Sequence, residues 1–164
     1  RKEFEFLKTF WILPFKIPRT YSPFVLISTG RAETTKELVE QVAKIPVDER
    51  EKIITGIEHN SKKLVQAIHD ENETAFTSAI QKNQRLLKLL GVVSPPVKKF
   101  VDDIEKNGGA AKISGAGGMA SGSGMVLACH SDVEKILEIA KTHKYSAFAV
   151  QLGGEGVRRE QVVI

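Results

Sequence analysis

Apolar and polar positions alternate between two rhythms along this chain of 164 residues. From Phe24 to Thr29, FVLIST is a short β-branched and aromatic run, the pattern of a buried strand. It turns at Gly30 into a helical rhythm, where Thr34 or Thr35 can cap, Glu37 lies in the first turn, and Leu38, Val39 and Val42 share one face. Pro46 closes that helix and Asp48 is placed to cap the next, whose Ile53, Ile54, Ile57, Leu64, Val65 and Ile68 keep helical spacing to His69. A third helix from about Glu73 sends Ala75, Phe76, Ala79, Ile80, Leu86, Leu87 and Leu90 inward, and Gly91 stops it. A fourth announces itself through Ser94 as N-cap and Pro95 at the first helical position, with Val97, Phe100, Val101 and Ile104 inward. Gly108 and Gly109 end it, and the strand rhythm returns: a strand ending near Ser114, a glycine loop, a strand GMVLACH, a helix from Asp132 to His143, a strand YSAFAVQLGG and a short final QVVI. This order predicts an α+β fold, a mainly antiparallel sheet with helices on one face.

Composition changes the picture little. The length suits one domain with a substantial core. The net charge of +4 is concentrated at the beginning, where five basic residues face two acidic ones before Tyr21, so no basic stripe tracks a nucleic-acid backbone. The single cysteine, Cys129, has no intramolecular partner and lies in an apolar run, which suits a small buried side chain and a reducing, cytoplasmic setting. Between Lys112 and Asp132 lie 19 uncharged residues, but nine are glycine or serine, a composition that inserts poorly into a bilayer. No signal peptide is recognisable. The opening RKEFEFLKTFWILPFKIP reads as a strand entered halfway, and the chain is expected to be a piece of a longer protein.

The candidate chemistry lies in AAKISGAGGMASGSGMVLACH, Ala110 to His130, with its five glycines. Glycine lets main-chain N–H groups converge on an anion, phosphate above all. GAGGMA, Gly115 to Ala120, matches a dinucleotide pattern only weakly, because that pattern must open a helix and this loop runs into a strand. A Walker loop also fails, since no lysine follows the glycines. What remains is strand, glycine loop, strand, a loop that presses on a phosphate, braces another that does, or is a structural hairpin alone.

Three ordered segments carry a resemblance. GGAAKISGAGG, Gly108 to Gly118, resembles the C-terminal signature of the GHMP small-molecule kinases, and its surroundings are most similar to the mevalonate kinases among them. FVLISTGRAETTKELVEQV is similar to that family's strand, Thr-Gly turn and Thr-Lys helix start. NQRLLKLLGVVSPPVKKFVDDIEKNGGAAKISGAGG is similar to its helix, Gly-Val-Ser turn, helix and final glycine loop. The likeness runs over most of Phe24 to Arg159, including EGVRRE. One departure stands out: Met119, Ala120 and Ser121 precede a second Gly-Ser-Gly, which makes this loop longer than the family's.

The resemblance implies a GHMP kinase C-terminal domain, with a ferredoxin-like core and extra helices, over residues 24–164. Residues 1–23 are then the end of a preceding N-terminal domain or a connecting strand. It implies an ATP-dependent phosphotransferase acting on mevalonate or a related small alcohol, with ATP and Mg2+ used by the full-length enzyme and none bound by this piece alone. The ATP-phosphate loop, the metal-binding acid and the catalytic aspartate belong to the N-terminal domain in that family, so no catalytic residue and no metal ligand is expected here. Ser114, Gly115, Ala116, Gly117 and Gly118 are the expected ATP-phosphate contacts or braces, and Thr34 and Thr35 the substrate contacts at a helix N-terminus. Lys112 and Arg31 are further candidates for a phosphate or a carboxylate. Expected partners are the small-molecule substrate and the protein's own N-terminal domain, with a homodimer left open and neither nucleic acid nor membrane. A non-catalytic module binding an anionic metabolite, and a phosphomevalonate kinase-like enzyme, stand as alternatives. Asp102 and Asp103 read as solvated, and His59, His69, His130 and His143 show no metal-ligand spacing.

Overall fold

The computed structural model describes residues 24–30 and 33–150. The elements run β1 Phe24–Ser28, α1 Thr35–Ala43, α2 Val47–His69, α3 Glu73–Leu89, α4 Pro95–Lys106, β2 Ala110–Ser114, β3 Met125–Cys129, α5 Val133–Thr142 and β4 Ser146–Val150. The expected QVVI strand, the end of the YSAFAVQLGG strand and Arg31 lie outside the described residues. The four strands form one antiparallel sheet in the order β2-β3-β1-β4, so the α+β class read from the sequence is what the structure shows.

Strand alternation sorts the core. Val25 and Ile27 on β1 stand opposite Ala128 and Val126 on β3, which in turn face Ala111 and Ile113 on β2. Those six share the main cluster with Leu38 of α1, Val97, Phe100, Val101 and Ile104 of α4, and Ile136 and Ala140 of α5. The intervening positions Phe24 and Ala110 belong to a smaller cluster completed by Ala67, Ile68, Phe76 and Ile80 from the α2–α3 pair. Period-2 alternation in the strands thus separates two helical groups.

All four expected inward residues of α4 are buried. Elsewhere the sequence overcounted: Val39 is 63% exposed, Ile54 51% and Val65 55%, and Ala75 is also exposed. The long α2 meets its neighbours along a narrow stripe, on which Ile53, Ala67 and Ile68 are buried, while Val47, Ile54 and Val65 face outward. Two polar residues take the places not expected of them. Asn60 is buried and its Nδ2 donates to Ala79 O at 2.8 Å, stitching α2 to α3. Gln84 is wholly buried, and its Oε1 accepts the N–H of Ile113 at 3.0 Å while Gln81 Nε2 donates to Gly109 O at 3.2 Å. The amide side chains of α3 therefore occupy hydrogen-bonding groups along the β2 segment.

The caps show a similar mixture. Asp132 caps α5 by accepting the N–H of Glu134. Asp48, expected to cap α2, sits in its first turn instead, because Pro46 holds the extended N-cap position. Asp102 and Asp103 are not simply solvated: Lys88 Nζ reaches Asp102 at 2.6 Å, and His143 Nε2 reaches Asp103 at 2.9 Å. His143 also meets the Phe100 ring edge-on and stacks on Tyr145. His130 is committed as well, with Nε2 bonded to Asn107 O and Nδ1 accepting the N–H of Asp132. No described helix is long and apolar enough to cross a membrane.

Candidate functional site around the glycine loop

The loop from Gly115 to Gly124 joins β2 to β3 and divides into two parts. In its later part the main chain is consumed by the protein. The N–H of Gly118 donates to Val92 O at 2.9 Å, and that of Gly124 to Gly30 O at 2.8 Å. The N–H of Ser123 donates to Thr29 Oγ1 at 3.0 Å, and Thr29 Oγ1 in turn donates to Gly124 O at 2.8 Å. Ser123 Oγ accepts the N–H of Ser94 at 2.9 Å. Ser94 stands at the N-cap position of α4 without capping it through its side chain, and ties that helix to the loop instead. Among the described residues no partner takes the N–H groups of Gly115, Ala116 or Gly117, and Gly115 is exposed. The early part keeps amides without a partner among the described residues, and the late part is fixed to the body of the domain.

Gly117 belongs to the brace despite its free amide. It is buried at φ +88°, and a Cβ on it would lie 2.1 Å from Val92 O. Gly115 is equally left-handed at φ +104°, but a Cβ there would meet nothing within 4 Å. One glycine answers to packing and the other only to the turn.

At the start of α1 the two threonines part company. Thr34 is the N-cap: its Oγ1 accepts the N–H of Glu37, and both its own N–H and hydroxyl donate to Glu37 Oε2, at 2.6 and 2.9 Å. This capping box depresses the Glu37 carboxyl, through the Thr34 N–H first and its hydroxyl second. Thr35 is exposed, and no hydrogen bond engages its hydroxyl within the described residues. It lines a shallow cavity of about 260 Å³ with Leu38, Val39, Val42, Val92 and Ala116. A helix N-terminus with an unengaged hydroxyl and the open part of the glycine loop therefore share one depression, whose floor is apolar.

Lys112 is not drawn into this depression. It is half-buried on β2, its Nζ donates to Ile113 O at 2.8 Å, and burial lowers its pKa. Ser114 is the last, exposed residue of β2. The Cys129 thiol is pushed up to about 11, chiefly by burial, which keeps it a protonated and unreactive side chain. Sequence reasoning missed Glu33. Its Oε1 accepts the N–H of Ala120 at 2.8 Å across 87 residues, and nothing in local periodicity signals such a contact. Among the described residues no group of three or more histidine, cysteine, aspartate or glutamate side chains is arranged to hold a metal ion.

The family model for the C-terminal domain of GHMP kinases matches residues 64–146, half of the chain. Among solved structures, the chain superimposes on Methanococcus jannaschii mevalonate kinase with a TM-score of 0.64 at 26% identity, covering 77% of this chain and 38% of that one. L. major mevalonate kinase in complex with R-mevalonate gives 0.66 at 19% identity, covering 79% and 42%. Streptococcus pneumoniae phosphomevalonate kinase, in complex with phosphomevalonate and AMPPNP, gives 0.66 at 15%, covering 78% and 39%. At these last two identities the likeness is one of fold. The chain spans about two fifths of the length of these structures. No curated protein sequence matches it significantly.

Proposed function

The chain belongs to the GHMP kinase C-terminal family, and from that premise we propose that it is the C-terminal domain of an ATP-dependent kinase that phosphorylates the hydroxyl of mevalonate. Residues 24–164 form this domain on our reading, with residues 1–23 leading in from an N-terminal domain that supplies the ATP-phosphate loop, the catalytic aspartate and the acid that holds Mg2+. The observation that carries the reading is the apolar depression shared by Thr35 and Ala116, which brings the start of α1 and the early glycine loop to one place. A small branched hydroxy acid has matching chemistry: an apolar body for Leu38, Val42 and Val92, and a carboxylate for the Thr35 hydroxyl and the positive end of α1.

Phosphoryl transfer is mostly positioning and the stabilisation of charge spread over three oxygens. On this reading the N–H groups of Gly115 and Ala116 lie against the phosphates, while the late part of the loop keeps them from relaxing. Thr34 holds the helix start, and Thr35 orients the acid. Lys112, bonded to its own strand, is given no part.

The test is coupled ADP release by the full-length protein with ATP and Mg2+, offered mevalonate, phosphomevalonate and homoserine in parallel. Mevalonate as the preferred acceptor supports the reading. Preference for phosphomevalonate moves the protein to the neighbouring branch, and metabolite binding without turnover supports a non-catalytic module.

A further inference from the structure

We propose that Glu33 is a positioning residue, an internal anion whose carboxylate seats the Met119–Ala120 segment and thereby yokes the glycine loop to the start of α1. Its consequence for nucleotide use rests on the kinase reading above; the clasp itself does not.

The N–H of Ala120 donates to Glu33 Oε1 at 2.8 Å, and the N–H of Met119 is directed at the same carboxylate. Glu33 Oε2 is buried with no hydrogen-bond partner among the described residues. A carboxylate oxygen withheld from water is unfavourable unless the charge is favoured elsewhere on the group. Here burial works to raise the pKa of Glu33, but the main-chain N–H groups of Glu33, Met119 and Ala120 outweigh it, against the like charge of Glu37, and the group stays ionised. The loop thus behaves toward Glu33 as N–H nests behave toward anions.

Its placement gives the contact meaning. Met119 and Ala120 fall in the stretch by which this loop exceeds the family pattern. Glu33 immediately precedes Thr34, which caps α1, and Thr35, which shares the depression with Ala116. One side chain therefore ties together the two walls of the candidate site. While it does so, the Met119 and Ala120 amides are closed to phosphate, and only the early amides remain for it.

The experiment uses full-length protein with Glu33→Ala, which removes the acceptor, and Glu33→Gln, which keeps an acceptor and removes the charge. Glu37→Ala is the control: it removes the capping-box acceptor at the same helix end and touches no loop amide. Amide hydrogen exchange at Met119 and Ala120 is read beside thermal unfolding and the KM for ATP. The expected result is exchange faster by roughly ten- to a hundredfold in Glu33→Ala, with a smaller rise in Glu33→Gln, as charge-assisted bonds to a local opening unit are lost. The KM for ATP should rise by about tenfold in Glu33→Ala, more than the KM for mevalonate, since the loop is what loosens. Glu37→Ala should lower the unfolding temperature and leave both readouts unchanged. Unchanged exchange in Glu33→Ala overturns the clasp, and faster exchange with an unaltered KM for ATP overturns the positioning role. A wild-type protein that fails to phosphorylate mevalonate sinks the kinase reading instead, and the exchange comparison still decides whether Glu33 holds the loop.

Discussion

Replacing Gly117 by alanine should unfold this domain far more readily than the same replacement at Gly115, two residues away. Both glycines have positive φ, and an L-residue there carries about 1–2 kcal/mol of steric strain. At Gly115 that is the whole penalty, because the new methyl group meets nothing within 4 Å. At Gly117 the methyl would lie 2.1 Å from Val92 O, well inside the 3.0 Å that real Cβ atoms respect, and the obstacle is buried backbone. Moving it breaks the 2.9 Å bond from the N–H of Gly118, and the unsatisfied pair adds about 1–3 kcal/mol. The total of about 2–5 kcal/mol is a large part of the 5–15 kcal/mol that holds a typical domain together. Urea unfolding at a common slope is the assay, and with slopes of ~1–3 kcal/mol per molar the two midpoints should differ by about 1 M. Coincident midpoints would show that the loop yields freely at Val92, and the division into an open part and a brace would fall.

Changing Thr35 to valine keeps the shape and should reduce kcat/KM for mevalonate by about ten- to a hundredfold with the unfolding temperature unchanged, since Thr34 does the capping. Thr34→Ala should do the reverse, losing about 1 kcal/mol of stability with turnover of the folded enzyme intact. Asp103 is held below the usual aspartate value first by its bond from His143, so its contribution to stability is present above about pH 4 and lost as pH falls through the lowered value. Acid unfolding curves should show this component disappear in Asp103→Asn. The chain alone, assayed by ADP release, should not turn over ATP, because our reading assigns the reacting groups to the N-terminal domain; steady turnover would contradict that assignment.

The sequence disclosed the elements whose signals are local. Ser94, Pro95 and the spacing of Val97, Phe100, Val101 and Ile104 define α4 without tertiary knowledge, and the glycines flagged the loop. Contacts that cross the chain were invisible. Gln84 and Asn60 carry no sequence signal of burial, because their value lies in single main-chain partners on other elements. Val39, Ile54 and Val65 read as core because periodicity marks an apolar face but not how much of it a neighbour covers. At the site, Thr34 and Thr35 were interchangeable by sequence. Only the reciprocal bonds with Glu37 assign one to the helix and leave the other free.

The glutamines of α3 also bear on the order in which this fold is made. Helix α3 precedes β2 in the chain, so a growing polypeptide has Gln81 and Gln84 in hand before the strand they secure has emerged. The Ile113 N–H of that strand therefore finds its partner as soon as it emerges, which leaves less bare main chain of the kind by which edges recruit foreign strands. β1 has the opposite fate. Its two neighbours, β3 and β4, are both synthesised later, and its last pairing partner is Val150. A strand flanked on both sides in the sheet is therefore the one that spends longest unpaired during synthesis, and the interval that a ribosome-bound chain must survive is set by β1.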